Sequence, residues 1–296
     1  MAAEEAKASV RKVRIEMWND DRKAVDADNL AVDFAVTRTC AAVYDKATIS
    51  IRNLSEENFK AFTVPWRFIR EEGHLRIRLF AGYSTETLIF EGFITEAVPT
   101  GVPPDITLSC TCAANFGISD RVAELKGLKR KGDTLEKLLR ELSRAFKWKD
   151  PVWKANEEYK GLCKGNFYAR GTMVEILRDL EKSYKEIETY FEFAGRICVC
   201  NKDKPPAVES GTLRAGGSED GALPLIGIPK IEPYGIRFMT LLNTSAVLNQ
   251  KVLIKSVMIP DINDTPYYIK TLTHRGSSRG NSFYTEYVCS AVAGGE

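Results

Sequence analysis

Apolar residues alternate with polar ones along most of the first 117 residues of the chain. Alternation with a period of two is typical of β-strands that bury one face. Glycine and proline residues separate several of these stretches, so we predict an antiparallel barrel or sandwich. The apolar residues that share a face in each stretch are Val13/Ile15/Met17, Leu30/Val32/Phe34/Val36, Leu75/Ile77/Leu79, Leu88/Phe90/Gly92/Ile94 and Ile106/Leu108/Cys110/Cys112.

A short helix is predicted to interrupt these strands. The side chain of Ser55 can cap a helix N-terminus. Leu54 precedes it and can pack on Phe59 as a hydrophobic staple, and the chain turns away near Pro65. The predicted helix therefore lies within the first β region and does not mark the start of another domain.

Two stretches in the middle of the chain carry apolar residues at helical spacing. Asp133 and Glu136 have the spacing of a capping box, and Thr172 and Glu175 repeat it. A hairpin over residues 190–200 follows the second helix, so this region is predicted to be a compact α+β unit. The two apolar stripes are Leu135/Leu138/Leu139/Leu142 and Ile176/Leu177/Leu180/Tyr184.

Residues 201–221 are rich in proline, glycine and charge without apolar periodicity, which is typical of a linker. Alternating strands return beyond it, at residues 251–257, 267–272 and 283–290. The predicted fold class is therefore mainly β with an α+β middle region. Two antiparallel β-barrel or sandwich domains flank a helix-containing domain. The predicted boundaries are 1–117, 118–208 and 209–296.

Composition narrows the range of partners and compartments. The 42 basic and 40 acidic residues of this 296-residue chain nearly cancel, so no overall field favours nucleic acid or an anionic membrane. The N-terminus lacks the pattern of a secretory leader, and no apolar run approaches about 18 residues. We therefore expect neither secretion nor a membrane span.

The chain has seven cysteines, an odd number that argues against a disulfide framework. Four of them form Cys110-x-Cys112 and Cys198-x-Cys200 within predicted strands. Residues i and i+2 of a strand point to one face, as core side chains do, whereas zinc knuckles favour Cys-x2-Cys on a turn. We expect reduced thiols and no metal.

The sequence motifs of common enzymes are missing. There is no Gly-rich phosphate loop, no HExxH and no GxSxG. The two histidines, His74 and His274, are interpreted as structural or solvated residues. Acidic pairs such as Asp261 with Asp264 lack calcium-loop spacing, and the basic stretches 66–70 and 126–131 are too short for a nucleic-acid module. No catalytic residue, metal or cofactor is predicted.

An ordered series of short segments resembles the baseplate hub proteins of phage tails. These segments lie at 47–56, 77–83, 88–94, 225–230, 234–236, 241–243, 252–256 and 268–276. Thr244 stands where the family often has proline, and Asn249-Gln250 replaces a usual glycine, which makes the local turn uncertain. The positions that match the family motifs are Asn53, Leu54, Gly82, Tyr83, Gly92, Gly227, Pro229, Gly235, Leu241, Leu242, Asn243, His274 and Gly276.

The resemblance implies a structural function. Such hubs form homotrimers in which two tube-like β domains per chain approximate sixfold symmetry. The implied partners are other copies of the chain, the tail tube protein, the central spike protein and other baseplate proteins, with the tape measure as a further candidate. DNA would pass through the lumen without specific binding. The implied location is the virion tail baseplate, assembled in the host bacterial cytoplasm.

Other classes of protein stay open at this stage. A hexameric distal tail protein, another tail-tube-like or carbohydrate-binding module, and the hub of a phage-related injection system would share much of the pattern. A wall-degrading hydrolase would need a cleft with paired carboxylates, and the sequence offers no good pair.

Overall fold

The described residues form eighteen β-strands, three α-helices and one short 3-10 turn. The computed structural model describes residues 11–19, 22–27, 30–63, 75–102, 105–114, 123–125, 134–155, 169–192, 195–202, 211–217, 221–263 and 265–291. The predicted helix turn at Pro65, His74 and the basic stretches 66–70 and 126–131 lie outside these residues.

The first third of the chain contains strands and one short helix, as predicted. Its elements are β1 (Arg11–Asn19), β2 (Arg22–Ala27), β3 (Ala31–Thr39), β4 (Lys46–Arg52), α1 (Glu56–Phe62), β5 (Arg76–Tyr83), β6 (Thr87–Val102) and β7 (Asp105–Ala113).

The middle of the chain mixes short strands with two longer helices. Its elements are β8 (Ala123–Leu125), α2 (Leu135–Ala145), β9 (Val152–Lys154), β10 (Ala169–Gly171), α3 (Met173–Ser183), β11 (Ile187–Glu192) and β12 (Arg196–Asn201). The hairpin predicted over residues 190–200 is confirmed, because β11 and β12 pair antiparallel.

The last third returns to strands. Its elements are β13 (Leu213–Gly216), β14 (Lys230–Glu232), β15 (Gly235–Leu241), β16 (Lys251–Lys255), a 3-10 turn (Pro260–Ile262), β17 (Tyr267–Ser277) and β18 (Phe283–Ala291). The linker prediction for residues 201–221 is wrong at β13, which pairs parallel with β16. Hydrogen bonds to a distant strand stabilise this short segment, and no local pattern reveals them.

One large sheet joins the two ends of the chain. Its main path runs β14-β15-β18-β17-β3-β4-β7-β6-β5-β1-β2, and β16 with β13 joins it through β17. The pairing of β3 with β17 is antiparallel, from Ser277 opposite Asp33 to Thr271 opposite Thr39. The mainly β fold class is therefore confirmed. Both β regions are connected by backbone hydrogen bonds within one chain.

The described apolar side chains form three buried clusters. The first fills the N-terminal β region but also includes Leu242 and Phe283 from the C-terminal one. The second packs α2 and α3 against β11 and β12. The third fills the C-terminal β region and takes in Cys40 and Cys200. Cluster membership thus crosses the predicted domain boundaries, and the three-domain division remains a prediction.

Helix caps follow the sequence signals closely. Ser55 caps α1 by accepting a hydrogen bond from the Asn58 N–H at 3.3 Å. The cap of α2 is Thr134, one residue after the predicted Asp133, which lies outside the described residues. Thr134 can act as the cap because its backbone is extended and its hydroxyl accepts from the Lys137 N–H at 3.2 Å.

The capping box of α3 is complete and gives a first testable prediction. Thr172 Oγ1 accepts from the Glu175 N–H at 3.3 Å, and a Glu175 carboxylate oxygen accepts from the Thr172 N–H at 2.8 Å. Thr172→Ala is expected to lower the free energy of unfolding by about 1 kcal/mol, since one N-terminal amide loses its partner. Thr172→Ser keeps the hydroxyl and should stay near wild type in chemical denaturation. Equal losses in both variants would contradict the prediction.

Candidate assembly surfaces

Residues from opposite ends of the chain meet where β3 pairs with β17. The Tyr83 hydroxyl donates to the carbonyl oxygen of Phe283 at 3.2 Å. The Leu242 N–H donates to the same oxygen, also at 3.2 Å. Tyr83 and Leu242 are both positions that match the family motifs, and the structure brings them together although they lie far apart in sequence.

Aromatic rings fill the space beside this junction. The Phe283 ring packs edge-on against Tyr83, with centroids 5.1 Å apart, and against Phe34 at 6.2 Å. A Cβ atom on Gly276 would lie 2.3 Å from the Phe34 ring, so no larger residue fits there without displacing it. We call Phe34, Tyr83, Leu242, Gly276 and Phe283 the junction cluster. Its residues come from both β regions and pack against one another.

His274 lies next to this junction, in the buried part of β17. Its Nδ1 is within hydrogen-bond distance of Thr285 Oγ1, at 2.9 Å, and the same hydroxyl oxygen accepts from the Asn243 N–H at 2.9 Å. Burial, with the charge of Arg38 as the smaller cause, lowers the pKa of His274 to about 3. The ring is therefore neutral near pH 7 and links β17 to β18 without contributing a charge.

The turn at Asn249, where the chain departs from the family pattern, is formed by a left-handed backbone conformation. Asn249 adopts φ +60°, the left-handed conformation that glycine usually takes. Asparagine enters this region more readily than most residues, so it can replace the family's glycine. Asn243 forms a second turn by accepting from the N–H and hydroxyl of Ser245 at 3.2 and 2.7 Å. Neither departure from the family pattern breaks the fold.

The other motif positions lie at turns, near strand ends or, for Gly92, inside a strand, and the structure does not bring them into one site. Gly235 opens β15, where an added Cβ would lie 1.9 Å from the Cys289 carbonyl oxygen. The remaining positions are Asn53 and Leu54 between β4 and α1, Gly82 in β5, Gly92 in β6, Gly227 and Pro229 before β14, and Leu241 at the end of β15.

An exposed apolar surface surrounds the hairpin of β14 and β15. Tyr234 is 87% exposed and Ile231 is 67% exposed, and Ile226, Ile228 and Leu241 are also exposed. We call these five residues the hairpin patch. Strand β14 ends the order of the large sheet, so its outer backbone groups are open to another strand. Exposed apolar side chains on an open edge are typical of a protein interface.

Two grooves of the described surface have the size of small ligand pockets. One, of about 350 Å³, is lined by β3, β4, β17 and residue 284, and its only lining carboxylate, Asp33, pairs with Arg52 at 2.8 Å. The other, of about 390 Å³, has Glu86 as its only lining carboxylate, and Arg14 pairs with it at 2.7 Å. Neither groove holds the two carboxylates that a glycosidase needs.

The described cysteines are all buried and unpaired, and Cys163 lies outside the described residues. Cys110, Cys112, Cys198 and Cys200 point into apolar cores, as their spacing predicted. Cys200 also lies beside Cys40, with 4.0 Å between the sulfur atoms and Glu188 next to both. Sequence reasoning missed this contact, because the two cysteines are 160 residues apart and share no motif.

Comparisons with known structures place the fold among phage tail proteins. A tail protein from Neisseria meningitidis MC58 superposes with a TM-score of 0.60 at 11% identity, covering 94% of this chain and 96% of its own. The 43 kDa tail protein of prophage MuSo2 from Shewanella oneidensis also gives 0.60, at 10% identity, with coverages of 95% and 98%.

A secretion protein shares the same fold. The E. coli c3393 protein, described as a component of the type VI secretion system with structural similarity to T4 bacteriophage tail proteins gp27 and gp5, gives a TM-score of 0.56 at 9% identity. The match covers 93% of this chain and 76% of that one. No curated protein matches the sequence.

The chain thus has the fold of the phage tail proteins. The family model for baseplate hub gp41 matches residues 10–289, and the chain belongs to this family. It is therefore a component of the phage tail baseplate and is associated with the virion. Among the described residues, no helix has both the length and the apolar character needed to cross a membrane.

Proposed function

We propose that the protein is a structural hub that forms a trimeric ring and adapts the sixfold tail tube to the threefold central spike. The observation that carries the proposal is the open edge of β14 together with the hairpin patch. A heterologous contact between this edge and another surface of a second copy closes into a ring when the rotation per copy is one third of a turn. Closing the ring covers the exposed edge and its apolar side chains.

The two β regions of each chain suit this role. Three chains with two similar β domains each present six docking surfaces, which match a hexameric tube on one side. We propose that residues 1–117 and 209–296 have similar shapes for this reason. The β3–β17 pairing supports the presence of both β regions side by side in each chain, because it joins them in one sheet.

The proposed partners are those that the resemblance to baseplate hubs implies. The tail tube protein would contact one face of the ring and the central spike the other. The middle region, with charged residues such as Glu136 and Arg140 on α2, would lie outside the ring, where it can meet other baseplate proteins or the tape measure. DNA would pass through the lumen without specific contacts, since the chain's net charge is only +2.

We propose that the hub has no catalytic activity, in line with the single ion-paired carboxylate in each groove. The hub of a phage-related injection system is a second candidate function. It is favoured by the shared fold of the type VI secretion component, although a likeness at 9% identity concerns the fold alone. A phage tail hub and an injection-system hub would form assemblies of the same symmetry. The genes next to the gene for this protein distinguish the two candidates.

Light scattering and native mass spectrometry of the purified protein test the ring. The expected mass is three times the 33.1 kDa of one chain. Ile231→Glu places a charge in the hairpin patch and should shift the protein to monomers, because an unpaired charge in an apolar interface is costly. Lys137→Glu, on α2, is the matched control and should leave the trimer intact.

A hexamer would contradict the hub proposal and favour the distal tail protein instead. A monomer at micromolar concentration that stays unchanged by Ile231→Glu would contradict the proposed role of the hairpin patch. Single-particle images of the assembled ring give its symmetry directly and separate these outcomes.

A further inference from the structure

Four polar side chains from distant parts of the chain meet inside the third apolar cluster. Cys40 follows β3, Glu188 lies in β11, Cys200 in β12, and Asn249 in the turn before β16. The sulfur atoms are 4.0 Å apart, and the Cys40 sulfur is 3.3 Å from a Glu188 carboxylate oxygen. The Asn249 side-chain amide lies 3.1 Å from Cys40 Sγ and 2.8 Å from Cys200 Sγ.

We propose that Cys40, Cys200 and Glu188 form a site for a thiophilic divalent metal ion such as Zn²⁺. The three ligand atoms all lie within 4.8 Å of one another. Tetrahedral zinc with two Zn–S bonds of about 2.3 Å separates its sulfurs by roughly 3.8 Å, close to the 4.0 Å seen here. The two sulfur atoms therefore already have nearly the spacing that the ion requires.

Asn249 supplies the fourth position of the tetrahedron. It is almost fully buried, its backbone is held at φ +60°, and its Oδ1 has no hydrogen-bond partner. A buried polar atom without a hydrogen-bond partner is rare in a folded protein, and an ion would give Oδ1 a partner. Rotating the amide by half a turn exchanges its nitrogen and oxygen, which directs Oδ1 to the ion.

The charges of the site balance. Two thiolates, one carboxylate and a divalent ion carry a net charge of −1. The Lys270 ammonium lies 2.5 Å from the Glu188 carboxylate and brings the total to zero. A buried cluster with no net charge avoids most of the desolvation cost that an isolated ion would incur. Lys270 also fixes the orientation of the carboxylate, as residues behind metal ligands commonly do.

Without metal, the same atoms form a hydrogen-bonded dithiol. The Cys40 S–H donates to Glu188, the Cys200 S–H donates to the Glu188 backbone carbonyl, and the Asn249 amide donates to both sulfurs. Metal binding releases the two thiol protons to solvent and replaces these weak bonds. The ion would then connect the end of β3, the β11–β12 hairpin and the turn before β16 through coordination bonds.

This inference differs from the expectation of no metal, and it does not depend on the proposed hub function. That expectation considered only the four cysteines of the two Cys-x-Cys pairs, whose spacing is typical of core side chains. The site instead takes one member of the second pair and a cysteine from the first third of the chain. No sequence spacing between ligands 148 and 160 residues apart signals a metal site.

The test begins with the full-length protein purified under reducing conditions without chelator. Elemental analysis should find about one zinc per chain, and X-ray absorption should show two sulfur ligands with two nitrogen or oxygen ligands. Removing the metal with a chelator should lower the melting temperature by several degrees, and zinc should restore it. Co²⁺ added to the stripped protein should give a thiolate-to-cobalt absorption band in the near ultraviolet.

Variants assign the ligands. Cys40→Ser and Cys200→Ser should each lose the cobalt band, whereas Cys289→Ser, in a buried cysteine of the same apolar cluster, should keep it. The proposal is overturned if the reduced wild-type protein binds neither zinc nor cobalt, or if the Cys40 and Cys200 variants both keep the band. It is also overturned if absorption shows no sulfur ligand, or if the two cysteines form a disulfide in the purified protein. The measurements on the wild-type protein decide the question even if a serine variant fails to fold.

Discussion

Phe283→Ala is expected to lower the free energy of unfolding by about 3–5 kcal/mol, among the largest losses for any single truncation in this protein. Phe283 is buried at the junction between the two β regions. Its ring contacts both Phe34 and Tyr83, and its backbone oxygen accepts two hydrogen bonds. Truncation leaves a cavity that β3 and β17 cannot close, because their paired backbones hold the cavity walls apart.

Chemical denaturation of the variant measures this loss, and Tyr284→Ala is the matched control. Tyr284 is the next residue of β18 and points to the opposite, partly exposed face. Its truncation removes a ring of similar size without opening a cavity, so the loss should be less than half as large. Similar losses in the two variants would show that the junction cluster does not hold the β regions together.

Arg38→Met is expected to destabilise the protein by about 3–5 kcal/mol at pH 8, because it leaves a buried carboxylate without its partner. The Arg38 guanidinium lies 3.0 Å from Asp45, and both side chains are buried. Asp45 Oδ1 has no hydrogen-bond partner. Methionine fills a similar volume, so most of the loss comes from the charge rather than from packing.

The pH dependence identifies Asp45 as the cause. Burial raises the pKa of Asp45 to about 6, and the Arg38 guanidinium opposes this increase. The pKa of the unfolded carboxyl is about 3.9, so the folded state binds more protons than the unfolded state between these two values. Stability therefore falls as pH rises through that interval. Without Arg38 the pKa of Asp45 in the folded protein rises further. The free energy of unfolding then keeps falling up to a higher pH.

The difference in stability between wild type and Arg38→Met should therefore be smaller at pH 5 than at pH 8. The double variant with Asp45→Asn has no carboxylate to bury, so it should regain more than about 1 kcal/mol relative to Arg38→Met at pH 8. A difference that stays constant with pH, or a double variant that regains nothing, would contradict this account of the pair.

Local patterns in the sequence predicted most of the elements. A strand that buries one face alternates every two residues, so Val13, Ile15 and Met17 identified β1 without reference to any partner. The cap of α1 and the capping box of α3 also depend on residues within one turn of each other, which a sequence displays directly. The ordered series of segments at 47–56 through 268–276 was specific enough to indicate the family that the family model then confirmed.

Contacts between distant residues were decided by the tertiary structure alone. The pairing of β3 with β17 and the short strand β13 depend on partners that lie elsewhere in the chain, and a period-two pattern does not identify a strand's neighbour. The proposed metal site is the strongest case. Cys40 and Cys200 carry no shared spacing, and only the packing of three segments around Asn249 places their sulfurs 4.0 Å apart. Residue types and periodicity determine which segments bury a face, whereas the folded chain determines which of those faces meet.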